Sequence, residues 1–277
     1  MPIRFRIWII LAGACLSAQA QWLNHPAPGA PRTRDGKVNL SAPAPRLSGK
    51  PDISGIWQVE PTPLAELTAL FGDVGALAVP GDDPRTFSKY LFNILADFKP
   101  EESPLRPEFN ELFGKRAQDL GLDIPTSHCL PGGIPFATLL PFPTKIVQTP
   151  GLIVMLLEGD GTSRQVYTDG RKHPDDPQPM WMGYSVGRWE GNMLVVDTRG
   201  FNDRSWLDGF GHPHSEDMRV TERFHRRDFG HMDVQITIDD PKMYTKPFSI
   251  KVTHRLLPDT DVLEWYCAEN EKDRRHL

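Results

Sequence analysis

The sequence predicts a mainly β protein: an antiparallel meander closed into a barrel, with a β-sandwich as the alternative. Three observations carry this. From Pro125 onward, short runs rich in Val, Ile, Thr and aromatic residues follow one another, bounded by turn dipeptides such as Pro150-Gly151 and Asp169-Gly170. No helical crossover pattern separates these runs, so neighbouring strands are expected to pair antiparallel. His231–Ile238 alternates cleanly, with Met232, Val234, Ile236 and Ile238 on one face and His231, Asp233, Gln235 and Thr237 on the other. Closing the meander into a barrel removes its exposed edges.

Taken in order, the chain opens on a leader-like segment. Arg4 and Arg6 precede an apolar run over Ile7–Leu16, and Ser17-Ala18-Gln19-Ala20 offers a small-x-small cleavage site, so the mature chain is expected to begin at Gln21. The run is too short to anchor in a bilayer, and no later run approaches spanning length. Ala12-Gly13-Ala14-Cys15 is the alternative, a lipoprotein box with a lipidated Cys15. Residues 1–20 hold two Arg and no acid, so their removal moves the net charge from −5 to −7. That balance, without a basic stripe, speaks against nucleic acid as a partner.

Residues 21–52 are Pro-rich and read as an extended linker. A first strand is expected within Pro51–Val59. Helical periodicity follows over Leu64–Phe71, after Asp83-Pro84, and over Arg106–Leu120, where Phe109, Leu112 and Phe113 share a face. The strands expected next are Lys145–Thr149, Leu152–Glu158, Arg164–Thr168, Trp181–Trp189, Met193–Thr198, Met218–Phe224, His231–Ile238, Phe248–Leu257 and Val262–Cys267. The domain organisation is thus residues 53–124, a strand plus a helical segment, and residues 125–277, the β domain.

In an oxidising compartment, Cys129 and Cys267 are expected to pair as a disulfide. A nucleophilic Cys129 activated by His128 fits less well, because adjacent residues of a strand point to opposite sides.

The densest polar stretch runs from Phe201 to Asp233. His212 and His214 stand two apart and, in extended chain, face the same way. With Glu216 or Glu222 they could ligate a divalent metal, the one cofactor the pattern could hold; the sequence requires none. Without metal, His214 could serve as a general base oriented by Glu216 or Glu222, with His212 beside it, and Arg223 could hold an anionic oxygen. Glu222 shares a face with Val220 and Phe224. A carboxylate there needs a partner, so it is either a site residue or half of an ion pair with a barrel arginine. Trp181 and Trp206 could line a pocket for an aromatic ligand, with Asp169, Arg171 and Asn202 at its rim. No serine-hydrolase elbow, phosphate loop, His-Glu-x-x-His or haem motif is present.

The stretches Ser127-His128-Cys129-Leu130-Pro131-Gly132-Gly133-Ile134-Pro135, Gly187-Arg188-Trp189-Glu190-Gly191, Gly200-Phe201-Asn202-Asp203, Gly211-His212-Pro213-His214-Ser215-Glu216 and Val220-Thr221-Glu222-Arg223-Phe224 carry a resemblance. With Lys145–Pro150, Thr168–Arg171 and Tyr266–Asn270, they resemble a family of exported bacterial proteins over about Ile53 to Asp273. The resemblance implies export and a lipocalin-like barrel. It brings no activity, cofactor or catalytic residue with it, and fold alone would not supply one. The expectation is a periplasmic or secreted protein binding a small apolar or aromatic molecule in a barrel pocket, with acid/base chemistry at the polar stretch. A metal-dependent enzyme and a non-enzymatic envelope interaction protein are the alternatives.

Overall fold

The computed structural model describes residues 26–267 apart from residue 28, residues 74–82 and residues 119–121. The leader-like segment with Cys15 lies outside them, as do residues 268–277.

Strands β1 (Arg46–Leu47) and β2 (Lys50–Pro51) form a small hairpin. Ser48 and Gly49 both take positive φ at its tip, the backbone a two-residue hairpin turn requires. The barrel strands are β3 (Gly55–Val59), β4 (Thr144–Thr149), β5 (Leu152–Leu157), β6 (Thr162–Tyr167), β7 (Tyr184–Glu190), β8 (Met193–Arg199), β9 (Arg219–Arg226), β10 (His231–Asp239) and β11 (Phe248–Leu256). They close a nine-stranded barrel in the order β3-β4-β5-β6-β7-β8-β9-β10-β11, with β11 returning to β3. The expected closed, mainly β barrel is therefore the fold.

Two strand expectations need correction. The barrel is mixed rather than wholly antiparallel, because β6 and β7 run parallel, Val166 opposite Ser185. Residues 168–183 form a long irregular connection between them, which frees β7 from the reversal a tight turn would impose. Val262–Cys267 forms no strand. β11 already pairs with β10 on one side and β3 on the other, so no edge is left for it.

Period-two alternation sends one set of side chains inward. Met232, Val234, Ile236 and Ile238 of β10 meet Val220 and Phe224 of β9, Ile250 and Val252 of β11, and Ile153 and Met155 of β5 in a single core. The lumen is filled: the cavity among Trp57, Ile146, Met155, Glu222, Val234 and His254 measures about 20 Å³.

The two ends differ. The mouth carries the β7–β8 and β9–β10 hairpins and the end of β11. Residues 29–52, expected as a linker, are extended but docked there: the Phe229 and Gly230 amides donate to the Ala42 and Leu40 carbonyls, both at 2.7 Å. Arg32 pairs with Asp259 at 2.7 Å. The opposite, capped end receives residues 60–143 and the loops 200–218 and 240–247. Helices α1 (Leu64–Phe71), α2 (Lys89–Phe92), α3 (Asn110–Gln118) and α4 (Phe136–Leu139) lie in the long insertion between β3 and β4. Leu67, Phe87, Leu91, Phe92 and Phe136 make a second apolar cluster, with Phe210 of the loop packed against it. The helical segments read from the sequence are present, although the one after Asp83-Pro84 is a short 3-10 turn followed by the single turn of α2.

Cys129 and Cys267 are bonded, Sγ–Sγ 1.90 Å, across 138 residues. The link joins the turn after Pro125–His128 to the coil that follows the barrel, not to a last strand. Among the described residues no helix is long and apolar enough to cross a membrane.

Candidate functional site

The polar stretch after β8 folds inward at the capped end, and its polar groups satisfy one another. Ser205, Asp208, His212, His214 and Ser215 are all buried. Burial on this scale requires partners. Asp208 is the hub: Oδ1 accepts from the Gly211 and His212 amides, while Oδ2 accepts from the Ile94 amide at 2.6 Å and meets His212 Nδ1 at 2.5 Å. The His212 ring lies against Phe113 of α3, centroids 4.1 Å apart.

His214 turns to a different set. Its Nε2 lies 2.7 Å from Ser205 Oγ, and its Nδ1 lies 3.2 Å from the Ser215 carbonyl oxygen. A carbonyl only accepts, so Nδ1 carries the proton, and Nε2 is left to accept from the Ser205 hydroxyl. Burial lowers the His214 pKa, favouring this neutral form. Asp240 fixes Ser215 in turn, accepting from its amide at 2.6 Å and from its hydroxyl at 2.9 Å. Tyr244 donates to the Pro213 carbonyl, and burial holds its hydroxyl neutral far above the usual range.

These contacts settle where the sequence-read residues stand. The two histidines do not share a partner. Glu216 is exposed, and Glu222 is inside the barrel, so neither joins them as a third ligand or as the group orienting His214. Among the described residues no group of three or more His, Cys, Asp or Glu is placed to hold a metal. Glu222 is the ion-pair half of its two readings: both oxygens accept from Arg164 of β6, each residue 1% exposed. Arg164 also donates to Ser185 at 3.0 Å and Thr198 at 2.8 Å.

The ligand-binding residues read from sequence do not converge. Asp169 and Arg171 pair with each other on an exposed turn, the guanidinium 3.8 Å from the Tyr167 ring. Arg223 is on the outer face of β9, paired with Glu190 at 3.0 Å. Asn202 accepts from the Arg204 amide at 3.1 Å, and Arg204 stacks on Trp181 at 4.8 Å. Trp206 is buried beneath Arg116 of α3, 4.6 Å away. The sequence pattern does not mark Ser205, Asp208, Asp240 and Tyr244. The signal for Asp208 is local: an acid four residues before a histidine in a Gly-rich turn can reach the amides that follow. Asp240 and Tyr244 come from a distant loop, and only the barrel closure brings them in.

A second place is at the mouth, which no local sequence pattern marks. A pocket of about 690 Å³ opens between the docked N-terminal segment and the strand ends. Ile56, Phe229, Leu256, Leu257 and Pro258 give it an apolar wall, and Arg226, at the end of β9, lines it. Arg226 is 4% exposed. It donates to the carbonyls of Asp52 at 2.5 Å, Ser54 at 3.4 Å, Asp228 at 3.2 Å and Phe229, and it stacks on Trp57 at 4.9 Å. Among the described residues no carboxylate lies within ion-pairing distance of it. Burial pulls its pKa down to about 10, so it remains a cation at neutral pH. Two of the other charges are paired, Lys145 with Asp261 at 2.8 Å and Arg32 with Asp259 at 2.7 Å, while Asp52, also in the lining, accepts from the Ser54 amide at 2.8 Å and acts on Arg226 only through space.

No family model matches the chain, and comparisons with curated proteins and with solved structures find no similar protein.

Proposed function

We propose that the protein works after export, binding a small apolar or aromatic molecule with an anionic group at the mouth of its barrel. One observation carries this: a largely apolar pocket of about 690 Å³ has in its wall a buried guanidinium that no carboxylate among the described residues approaches to ion-pairing distance. The size and lining suit a small-molecule site, which typically spans roughly 300–1,000 Å³ with few polar groups. The filled lumen directs the ligand to the mouth. Carbonyl oxygens solvate Arg226, and Asp52 and Asp228 act on it only through space, so an incoming carboxylate or sulfonate would give it a direct ion-pair partner. Of the two ring partners of Arg226, Phe229 lines the pocket, and Trp57 backs the guanidinium from the barrel lumen. The leader-like segment and the Cys129–Cys267 bond support export.

The test is a titration with two fluorescent naphthalenes, the anionic 1-anilinonaphthalene-8-sulfonate and the neutral N-phenyl-1-naphthylamine. The anionic dye should bind the folded protein more tightly. Leu257→Trp, which fills the pocket from a position outside the strands, should weaken it by at least about tenfold. Unchanged binding in that variant would remove the mouth as the site, and equal affinity for the two dyes would remove the role given to Arg226.

A further inference from the structure

We propose a second site, independent of the mouth pocket: Ser205 and His214 form a nucleophile and general base that cleave a small ester at the capped end. The arrangement supplies what such a pair needs. A hydroxyl lies within hydrogen-bond reach of an imidazole nitrogen, and a third group fixes the ring so that this nitrogen carries the lone pair. Here the distances are 2.7 Å from Ser205 Oγ to His214 Nε2 and 3.2 Å from Nδ1 to the Ser215 carbonyl. Asp240 acts through Ser215, clamping amide and hydroxyl, and is a positioning residue.

A donor for developing negative charge is also at hand. Gly133 lies against Ser205, and a Cβ on it would come within 2.4 Å of the Ser205 hydroxyl oxygen. Glycine at positive φ is therefore required there, and it brings bare backbone up to the hydroxyl. Among the described residues the Gly133 amide donates to no acceptor, so it is available to an oxyanion. The surroundings, Phe201, Trp181 and Trp206, favour an apolar or aromatic ester.

The chemistry balances without a co-reactant beyond water. As Ser205 Oγ bonds to the ester carbonyl carbon, its proton passes to His214 Nε2. The bond to the leaving oxygen then breaks, and His214 returns the proton to the departing alcohol. A water molecule attacks the acyl-serine and gives His214 its proton. Ser205 recovers that proton as the carboxylic acid departs.

Access runs through α3. That helix has no fully buried residue, and it touches the neighbours of the pair, Phe113 on His212 and Arg116 on Trp206 and the Gly211 carbonyl. An element that buries no residue fully opens at lower cost than the barrel strands.

The experiment is covalent labelling of the full chain with a fluorophosphonate, read by intact mass and peptide mapping. A single adduct on Ser205 is expected, absent in Ser205→Ala and formed about 100-fold more slowly in His214→Gln. Phe113→Ala, which loosens the cover without touching the pair, should speed it. No adduct on Ser205 in either the wild type or folded Phe113→Ala overturns the proposal, and so does labelling that ignores His214. Neither result touches the dye titration, which reports the other end of the barrel.

Discussion

Two buried polar features of the barrel wall, the Arg164–Glu222 pair and His254, lie at the small central cavity and behave differently. Arg164 and Glu222 are a fully desolvated pair, each 1% exposed, with Ser185 and Thr198 taking the remaining donors. Removing one partner strands a charge, so Glu222→Gln should cost about 3–5 kcal/mol in urea unfolding. Arg164→Met with Glu222→Leu should cost far less, because Ser185 and Thr198 already bond each other at 2.9 Å. If the double variant is as unstable as the single one, the ion pair itself stabilises the fold. His254 of β11 lines the same cavity, with Nδ1 lacking a partner among the described residues. Burial drives its pKa from 6.5 down to about 4, against a bond to the Thr138 backbone. The native state therefore resists a proton that the unfolded chain accepts. The stability is fully present above about pH 6.5 and is lost as pH falls toward 4, by about 3 kcal/mol. His214, also lowered by burial, adds a slope of the same sign. His254→Leu should flatten the decline between pH 6.5 and 4, and an unchanged slope would contradict the assignment. At this scale the sequence showed that Glu222 needed a partner, since Val220 and Phe224 flank its face. It could not show which arginine, because Arg164 is three strands away around the barrel wall.

Elements show why some boundaries are legible and others are not. The strand His231–Ile238 was readable because both its neighbours leave one face to the core and the other to solvent. Val262–Cys267 has strand-like composition, but β3 already occupies the free edge of β11, a fact of ring closure that local pattern does not contain. The docking of the Pro-rich segment was hidden for a related reason. Its contacts are backbone hydrogen bonds to the β9–β10 hairpin and side-chain bonds to the distant Asp259 and Asn192, partners that composition does not encode. Past the last strand, the Cys129–Cys267 link closes a loop of 138 residues. Loop-closure entropy sets its contribution at about 5 kcal/mol as an upper value. Reduction, or Cys129→Ser with Cys267→Ser, should lower the urea midpoint correspondingly while leaving the barrel's circular dichroism intact. No change in midpoint would mean that the unfolded chain is held compact by other contacts.

For the whole molecule, closure leaves two ends of different build. Nine strands around a filled lumen leave little room inside, so the proposed chemistry falls at the capped end and the proposed binding at the mouth. The sequence pointed to the capped end because His212, His214 and their neighbours are close in the chain. It gave no sign of the mouth, whose wall draws on residues from the N-terminal segment, β3, β4, β9 and the chain after β11, brought together only by the fold. The most direct test of the binding account is amide chemical-shift mapping of the isotope-labelled protein titrated with 1-anilinonaphthalene-8-sulfonate. The account predicts saturable shifts concentrated at Ser54–Ile56, Arg226–Phe229 and Leu256–Asp261. Shifts centred on residues 201–217, or none that saturate, would contradict it.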